Sequence, residues 1–402
     1  MTNRVLVFDG RDIYGNERRA AWQPKAIDLT TTADFTVPCG TSVQAAIDAA
    51  ITLGKPSVIH IQAGFFEGPI VIPPQAPPLT LCGAGAGKTI ITASIDAQMT
   101  GLEFRTRFGT QIATYGAIAQ AHFAKIIGRQ TIGTRNTAVL SVSRDDVTMT
   151  GMTIRNDYQC DRIAAAPNGA EPDAEGRFAN GQHQAVALMV DGADRVQVRD
   201  CALSSFQDTF YLRADPLKPS RVAIDSSAIM GDVDFIFGGA TAHFADCTIR
   251  SRGLRSAQSW VAAPSTSLHL PFGFVFENCA FTHDGAEAGQ NGGCFLGRQW
   301  FEGVRSTPYG TDCTISARND KGMISRTTLE SVGKCAVLNA TLGDHLNPDH
   351  LWDTWGGPNG SPRFRPVQHG PSDFLRLLGP WLETQLLDYA KIKDGPDWLV
   401  HR

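Results

Sequence analysis

Two aspartates draw attention because a repeat in the chain brings them together. Asp208 lies in Gln207-Asp208-Thr209-Phe210-Tyr211, and Asp234 lies in Gly231-Asp232-Val233-Asp234-Phe235-Ile236-Phe237-Gly238. Asp208 follows Cys201 by seven residues and Asp234 follows Ser227 by seven. Cys201 and Ser227 hold the same place in a recurring pattern. If the copies stack as strands about 4.8 Å apart, the two carboxylates sit side by side. Carboxylates that close do not both ionise easily, so one keeps its proton and the other its charge. That division supplies an acid and an anionic base or nucleophile. Gln184 precedes Asp208 by 24 residues, about one turn. With Gln207 it would flank the pair with amide donors, the parts of an oxyanion hole. Spacing alone leaves a second reading open, a stacked polar ladder on a solenoid surface.

The elements that must hold these groups show in the same pattern: an apolar residue, any residue, Asp, Asn or a small polar residue, Cys or a small residue, any residue, and an apolar residue. It reads Val198-Arg199-Asp200-Cys201-Ala202-Leu203, then Ile224–Ile229, Phe244–Ile249 and Phe276–Phe281, with looser copies at Met149–Ile154 and Val337–Leu342. The equivalent positions 152, 201, 227, 247, 279 and 340 are separated by 49, 26, 20, 32 and 61 residues. Intervals of 20 to 32 suit one turn of a β-solenoid with variable loops. The two longer intervals fit either one turn with a long loop or two turns with a degraded copy. Cys201, Cys247 and Cys279 share one repeat position, which predicts an interior thiol ladder in place of disulfides.

The ends and interruptions follow. Thr41-Ser42 before Val43, Ala46, Ile47, Ala50 and Ile51 predicts an N-capped amphipathic helix over the N-terminal end. Ser372-Asp373 opens a run with Phe374, Leu375, Leu378, Leu382, Leu386 and Tyr389, broken at Gly379-Pro380. It predicts C-terminal helices packed on the flank. Residues 155–183 lack periodicity and predict a long surface loop. Residues 96–133 do not continue the repeat and predict an insertion. The expectation is one domain over 1–402, with an N-terminal extension over 1–40 and a helical tail over 366–402.

Composition excludes several classes. The chain has 402 residues, 42% of them hydrophobic and 19% charged, with 40 glycines and a net charge of −4. This is neither a coiled coil nor a disordered chain. Near-neutral charge argues against a nucleic-acid binder, and no run of about 18 apolar residues predicts a membrane span. Gly83-Ala84-Gly85-Ala86-Gly87-Lys88-Thr89 imitates a phosphate loop but has Cys82 where the first glycine belongs, so a turn between strands is expected. There is no GxSxG elbow. The ten histidines show no metal spacing, and no cofactor or metal is expected. His183, beside Gln184, reads as a loop residue more readily than as a base. The start of the chain has only a short apolar run before Asp9, too little for a signal-peptide core.

Residues 40–365 resemble the pectinesterases (pectin methylesterases, carbohydrate esterase family eight). The resemblance rests on QAVAL, SFQDTFY, GDVDFIFGGA, WVAAPST and LGRQW, in the family's order and spacing. Together they are highly specific. The resemblance implies an all-β fold, a single-stranded right-handed parallel β-helix, which agrees with the repeat. It implies that Asp234 is the nucleophile, Asp208 the general acid and then base, and Gln184 and Gln207 the oxyanion donors. Arg298 would pair with Asp234 and keep it ionised, and Trp300 would pack on a sugar ring. Thr134, Tyr211, Val233 and Phe237 match substrate-contacting positions. The implied reaction is hydrolysis of galacturonate methyl esters in homogalacturonan or oligogalacturonides, giving pectate and methanol without a cofactor, by a monomer.

This chain departs from the family in three places. Gln299 replaces a proline, Phe210 a leucine, and Phe66 the tyrosine of GxYxE. None removes a catalytic group. The 96–133 segment resembles a bacterial branch that includes outer-membrane lipoproteins, some of which act on shorter substrates or acyl thioesters. The family is usually secreted, periplasmic or membrane-anchored; with no leader visible in this chain, the expectation stays open between those compartments and the cytoplasm. The competing functions are an acyl-CoA thioesterase or other small-ester hydrolase using the same site, a polygalacturonase or lyase, and a non-catalytic carbohydrate-binding β-helix.

Overall fold

Each copy of the repeat is a corner between two strands. In the computed structural model, Gly151, Asp200, Ser226, Asp246, Asn278 and Asn339 all have positive φ, between 49° and 67°. Among residues with a side chain, Asn and Asp adopt this left-handed geometry at least cost, because their short polar groups bond locally. That is why the third place in the pattern is polar. The next residue turns inward: Met152, Cys201, Ser227, Cys247 and Cys279 are buried. The structure describes residues 31–215, 219–267, 272–286, 292–298 and 334–349 continuously. It adds 351–353 and the short pieces 7–8, 11–12, 22, 24–27, 300, 302, 331–332 and 399–401.

The strands stack into three parallel sheets of ten, eight and eight strands. A strand followed by a crossover to a parallel neighbour runs right-handed, and the result is a right-handed parallel β-helix. One turn reads Arg221–Asp225, Ala228–Gly231, Ile236–Gly238, each strand in a different sheet. The core is a column of Val, Ile, Leu and Phe running the length of the helix, with Phe210, Phe244, Phe274 and Phe276 all at 0% exposure. The eight described cysteines are free, and all except Cys39 are buried.

Both long intervals are single turns. Thr153 pairs with Ala202, so the 49-residue interval is one turn carrying the loop 157–187. Ala280 pairs with Thr341, which makes the 61-residue interval one turn as well. Two earlier turns escape the pattern because their corners lack the polar residue. They are built from Ser57–Ile61, Gly64–Glu67 and Ile70–Ile72, and from Leu79–Gly83 and Thr89–Ala93. The glycine-rich segment is the turn joining the last two strands. A Cβ on Gly83 would lie 2.2 Å from the carbonyl oxygen of Gly151, so backbone packs on backbone there.

Helix α1, Val43–Leu53, begins where expected. The Ser42 side chain accepts from the Ala45 N–H, Gly54 closes the helix with φ 69°, and Val43, Ile47 and Ala50 face the core. The first rung of the solenoid, Phe35–Val37, already lies within 1–40 and pairs with Ser57–Ile61. Residues 96–133 form a helical hairpin, α2 (Gly101–Ile112) and α3 (Ala117–Ile127). A Thr100/Glu103 capping box starts α2. Phe104, Phe108, Tyr115 and Phe123 pack between the helices and the solenoid. Of the expected C-terminal helices, all the apolar positions named above lie outside the described residues. The last described segment, Leu399–His401, is a strand paired with Cys335–Leu338.

Candidate active site

The third sheet carries the chemistry on its leading corner. Phe210 pairs with Ile236 and Ile236 with Ala262. Two residues before each of these stand Asp208, Asp234 and Trp260, one above another on successive turns. Asp208 and Asp234 have φ of 67° and 50°, and each is only 7% exposed. The Asp208 N–H donates to the Val233 carbonyl (3.1 Å), which locks the two corners together.

Arg298, in the strand Cys294–Arg298, meets Asp234 with a fork. Its Nε donates to Oδ1 at 2.7 Å and its Nη2 to Oδ2 at 2.8 Å. Such bidentate, charge-assisted bonds are strong and fix the orientation of the carboxylate. The guanidinium is backed by the Trp260 ring, 3.9 Å from its centroid, and Trp260 Nε1 donates to Asp353 Oδ2 at 2.7 Å. Among the described residues, Asp208 has no such partner. Burial first, and the charge of Asp234 second, raise its carboxyl well above the usual range, with Arg298 opposing. The pair is therefore asymmetric: the guanidinium forks onto one carboxylate, and burial disfavours the charged form of the other.

The two glutamines are neighbours, joined by a parallel bridge, Gln184↔Gln207. Gln207 Oε1 accepts from the His183 N–H at 3.2 Å. This leaves the Gln207 amide nitrogen as the group with protons to offer. Gln184 Nε2 donates to Gln182 Oε1 at 2.9 Å, so its amide is turned toward that side chain. His183 is fully buried, and burial lowers its pKa to about 4. Its Nδ1 meets the Tyr158 hydroxyl at 2.8 Å. A neutral, enclosed imidazole with occupied nitrogens is no general base.

Beyond the carboxylates lies an aromatic shelf. Tyr211 and Phe237 stack at 4.3 Å, and Trp300 stands edge-on at 5.6 Å from Phe237. Tyr211 donates its hydroxyl to Glu302. Ala138, Val186, Met189 and Ala263 complete this patch. Thr134 opens the short 3-10 turn Thr134–Asn136, four residues before Ala138, and is half-buried. Val233 is half-buried between the two carboxylate corners, its N–H donating to Asp232 Oδ1 at 2.6 Å. Gln299 lies outside the described residues.

Three residues around the site were not singled out by type and spacing. Trp260 follows Asp234 by 26 residues, as Asp234 follows Asp208, so the register alone could have found it. Asp232 and Arg255 form a buried ion pair, with side chains 0% and 1% exposed. No spacing rule points to Arg255, because its loop lies outside the repeat. Among the described residues, no cluster of three or more His, Cys, Asp or Glu could hold a metal, and no helix is long and apolar enough to cross a membrane.

A family model described as Pectinesterase matches residues 175–314. Pectinesterase B of Dickeya dadantii (strain 3937) is 31% identical over 323 residues, covering 74% of this chain and 70% of its own. Pectinesterase B of Pectobacterium parmentieri is 30% identical over 390 residues, covering 86% and 91%. Among solved structures, the rice weevil pectin methyl esterase matches with a TM-score of 0.67 at 26% identity, covering 85% of this chain and 84% of that one.

Proposed function

The chain belongs to the pectinesterase family, and from that premise we propose that it hydrolyses galacturonate methyl esters in pectin or its oligomers, with Asp234 as nucleophile and Asp208 as acid and then base. The observation that carries this reading is the asymmetry of the pair. Arg298 forks onto Asp234, while Asp208 beside it is buried and raised.

Asp234, ionised, attacks the ester carbonyl carbon, and the carbonyl oxygen takes the charge. The amide nitrogen of Gln207, aided by that of Gln184, stabilises this oxyanion. The intermediate collapses, methoxide departs, and the Asp208 proton converts it to methanol. The acyl group is now held on Asp234 as a mixed anhydride, and the Asp234 charge is gone. With it goes the second cause of Asp208's raised pKa, so the Asp208 carboxylate is stabilised at the moment it must act as base. It takes a proton from water, the hydroxide attacks the acyl-enzyme, and Asp234 leaves as carboxylate. The galacturonic acid released then ionises. Tyr211, Phe237 and Trp300 offer flat apolar faces to sugar rings, with Thr134 and Val233 at the edge.

Methanol release from methyl-esterified galacturonan and from its oligomers tests the proposal. The intact protein releases methanol, and Asp234→Ala loses about 10³-fold or more in kcat, as for removal of a nucleophile. No release by the intact protein on either substrate sinks the reading. Preferential hydrolysis of acyl-CoA would transfer the same chemistry to thioesters.

A further inference from the structure

Asp232 lies two residues before Asp234 and takes no part in the chemistry above. It is fully buried, as is Arg255 at 6% exposure. Arg255 Nε donates to Asp232 Oδ2 at 2.8 Å and its Nη2 to Oδ1 at 2.7 Å. A buried ion pair is a poor source of net stability, since desolvation offsets most of the attraction. Its further bonds show what it holds. Asp232 Oδ1 also accepts from the Val233 N–H at 2.6 Å, inside the corner that presents Asp234. The Asp232 N–H donates to the Phe206 carbonyl at 2.9 Å, next to Gln207.

The other side of Arg255 faces the long loop 157–187. Its Nη1 donates to the Ala179 carbonyl at 2.9 Å and to the Phe178 carbonyl at 3.4 Å. The Phe178 ring stacks on His183 at 6.1 Å with planes 9° apart, and Tyr158 stacks on the same imidazole at 5.9 Å. The His183 ring meets the Asn180 carbonyl and the Tyr158 hydroxyl. His183 therefore has one place to sit, and its N–H holds Gln207 Oε1 at 3.2 Å. An unbroken chain of contacts runs from the nucleophile's corner through Asp232, Arg255, the loop carbonyls, Phe178 and His183 to the amide of Gln207.

We propose that Asp232, Arg255 and Phe178 are positioning residues that clamp the 157–187 loop to the Asp234 corner and thereby aim the Gln207 amide nitrogen at the reacting carbonyl. The inference rests on the mechanism proposed above. A donor that drifts by about 1 Å loses on the order of 10²-fold in rate. The loss falls on kcat, because the oxyanion exists only past the ground state. The pair also touches Asp208's proton. Asp232 raises and Arg255 lowers its pKa, alongside the larger effects of burial, Asp234 and Arg298. Removing Arg255 alone takes away the guanidinium forked onto Asp232, leaves Arg252 as a weaker counter-charge, and pushes Asp208 further up.

The test compares the full-length protein with Arg255→Met, Phe178→Leu, Gln207→Leu and the two double variants with Gln207→Leu, on methyl-esterified oligogalacturonide. Arg255→Met should lower kcat about 10- to 100-fold with KM changed little, and move the alkaline limb of the pH profile upward. In the Gln207→Leu background the same change should cost far less, because the group it aims is gone. Phe178→Leu unpairs no buried charge. It should lower kcat several-fold without moving the pH limb, and it carries the test alone if Arg255→Met does not fold. Folded variants with unchanged kcat, or losses that simply multiply with Gln207→Leu, overturn the inference. An intact protein inactive on every ester overturns the mechanism it rests on instead.

Discussion

Two corners of the same solenoid use the same device for opposite ends. At the corner between the first and second sheets, Asp200, Ser226, Asp246, Asn278 and Asn339 adopt left-handed φ and are exposed to water. At the corner leading into the third sheet, Asp208 and Asp234 adopt the same φ but are 7% exposed. Residue type, conformation and periodicity are shared. What differs is the surroundings. Water screens the first ladder, whereas the second is buried, with the Arg298 guanidinium forked onto one of its two carboxylates. Left-handed aspartates are a structural habit of this fold, and burial beside Arg298 sets two of them apart.

The largest expected effect that sharpens this contrast is at Asp208. Asp208→Asn keeps the shape and suits the left-handed φ, but removes the proton. Loss of an acid-base group predicts a fall in kcat of about 10² to 10⁴. The same change should stabilise the fold. Asp208's folded pKa lies above its unfolded value, so the folded state binds the extra proton. The parent's stability is undiminished below the unfolded carboxylate pKa and falls as pH rises through the folded one. Denaturant unfolding at pH 4 and pH 8 should therefore show the variant gaining on the parent at pH 8 and little at pH 4. Equal stability at both would mean that Asp208 sits as comfortably as the exposed corner residues.

A smaller effect is expected at Arg298→Lys, which keeps the charge and loses the fork. A drop in kcat of about 10- to 100-fold is expected, since a point charge holds one oxygen of Asp234 and no longer fills the space over Trp260. Full activity would show that charge alone suffices. The smallest effect is at the other corner. Asp246→Ala places a residue without a local polar partner at φ 53°. It should cost about 1 kcal/mol in urea unfolding and leave kcat unchanged. A tenfold loss of kcat there would break the distinction between the two corners.

Much of this was legible in the chain. The repeat marked the corners because the left-handed position accepts few residue types, and equal offsets from Cys201 and Ser227 placed Asp208 and Asp234 on adjacent turns. Helix α1 showed through its cap and its apolar spacing. The turns before residue 100 were silent, since glycine-rich or irregular corners leave no polar signature. The 157–187 loop showed only as an absence of pattern, although it carries Tyr158, Phe178 and His183 into a small core of its own. Gln184 was expected as a donor to the site; its amide nitrogen gives one of its two protons to Gln182, which no spacing rule foretold.

The sequence by itself determined the periodic part of this protein: a stacked β-helix, a pair of aspartates in register, and two glutamines one turn apart. Strand pairing repeats on a fixed spacing, and that spacing is written in the order of residues. Only the tertiary structure decided which carboxylate takes the guanidinium fork and which is left raised by burial. That difference depends on where Arg298 arrives, 64 residues after Asp234, and on how deeply Asp208 is buried. Arg255, reaching Asp232 from a loop outside the repeat, belongs to the same class. Charge and desolvation act through space, over distances that chain separation does not record.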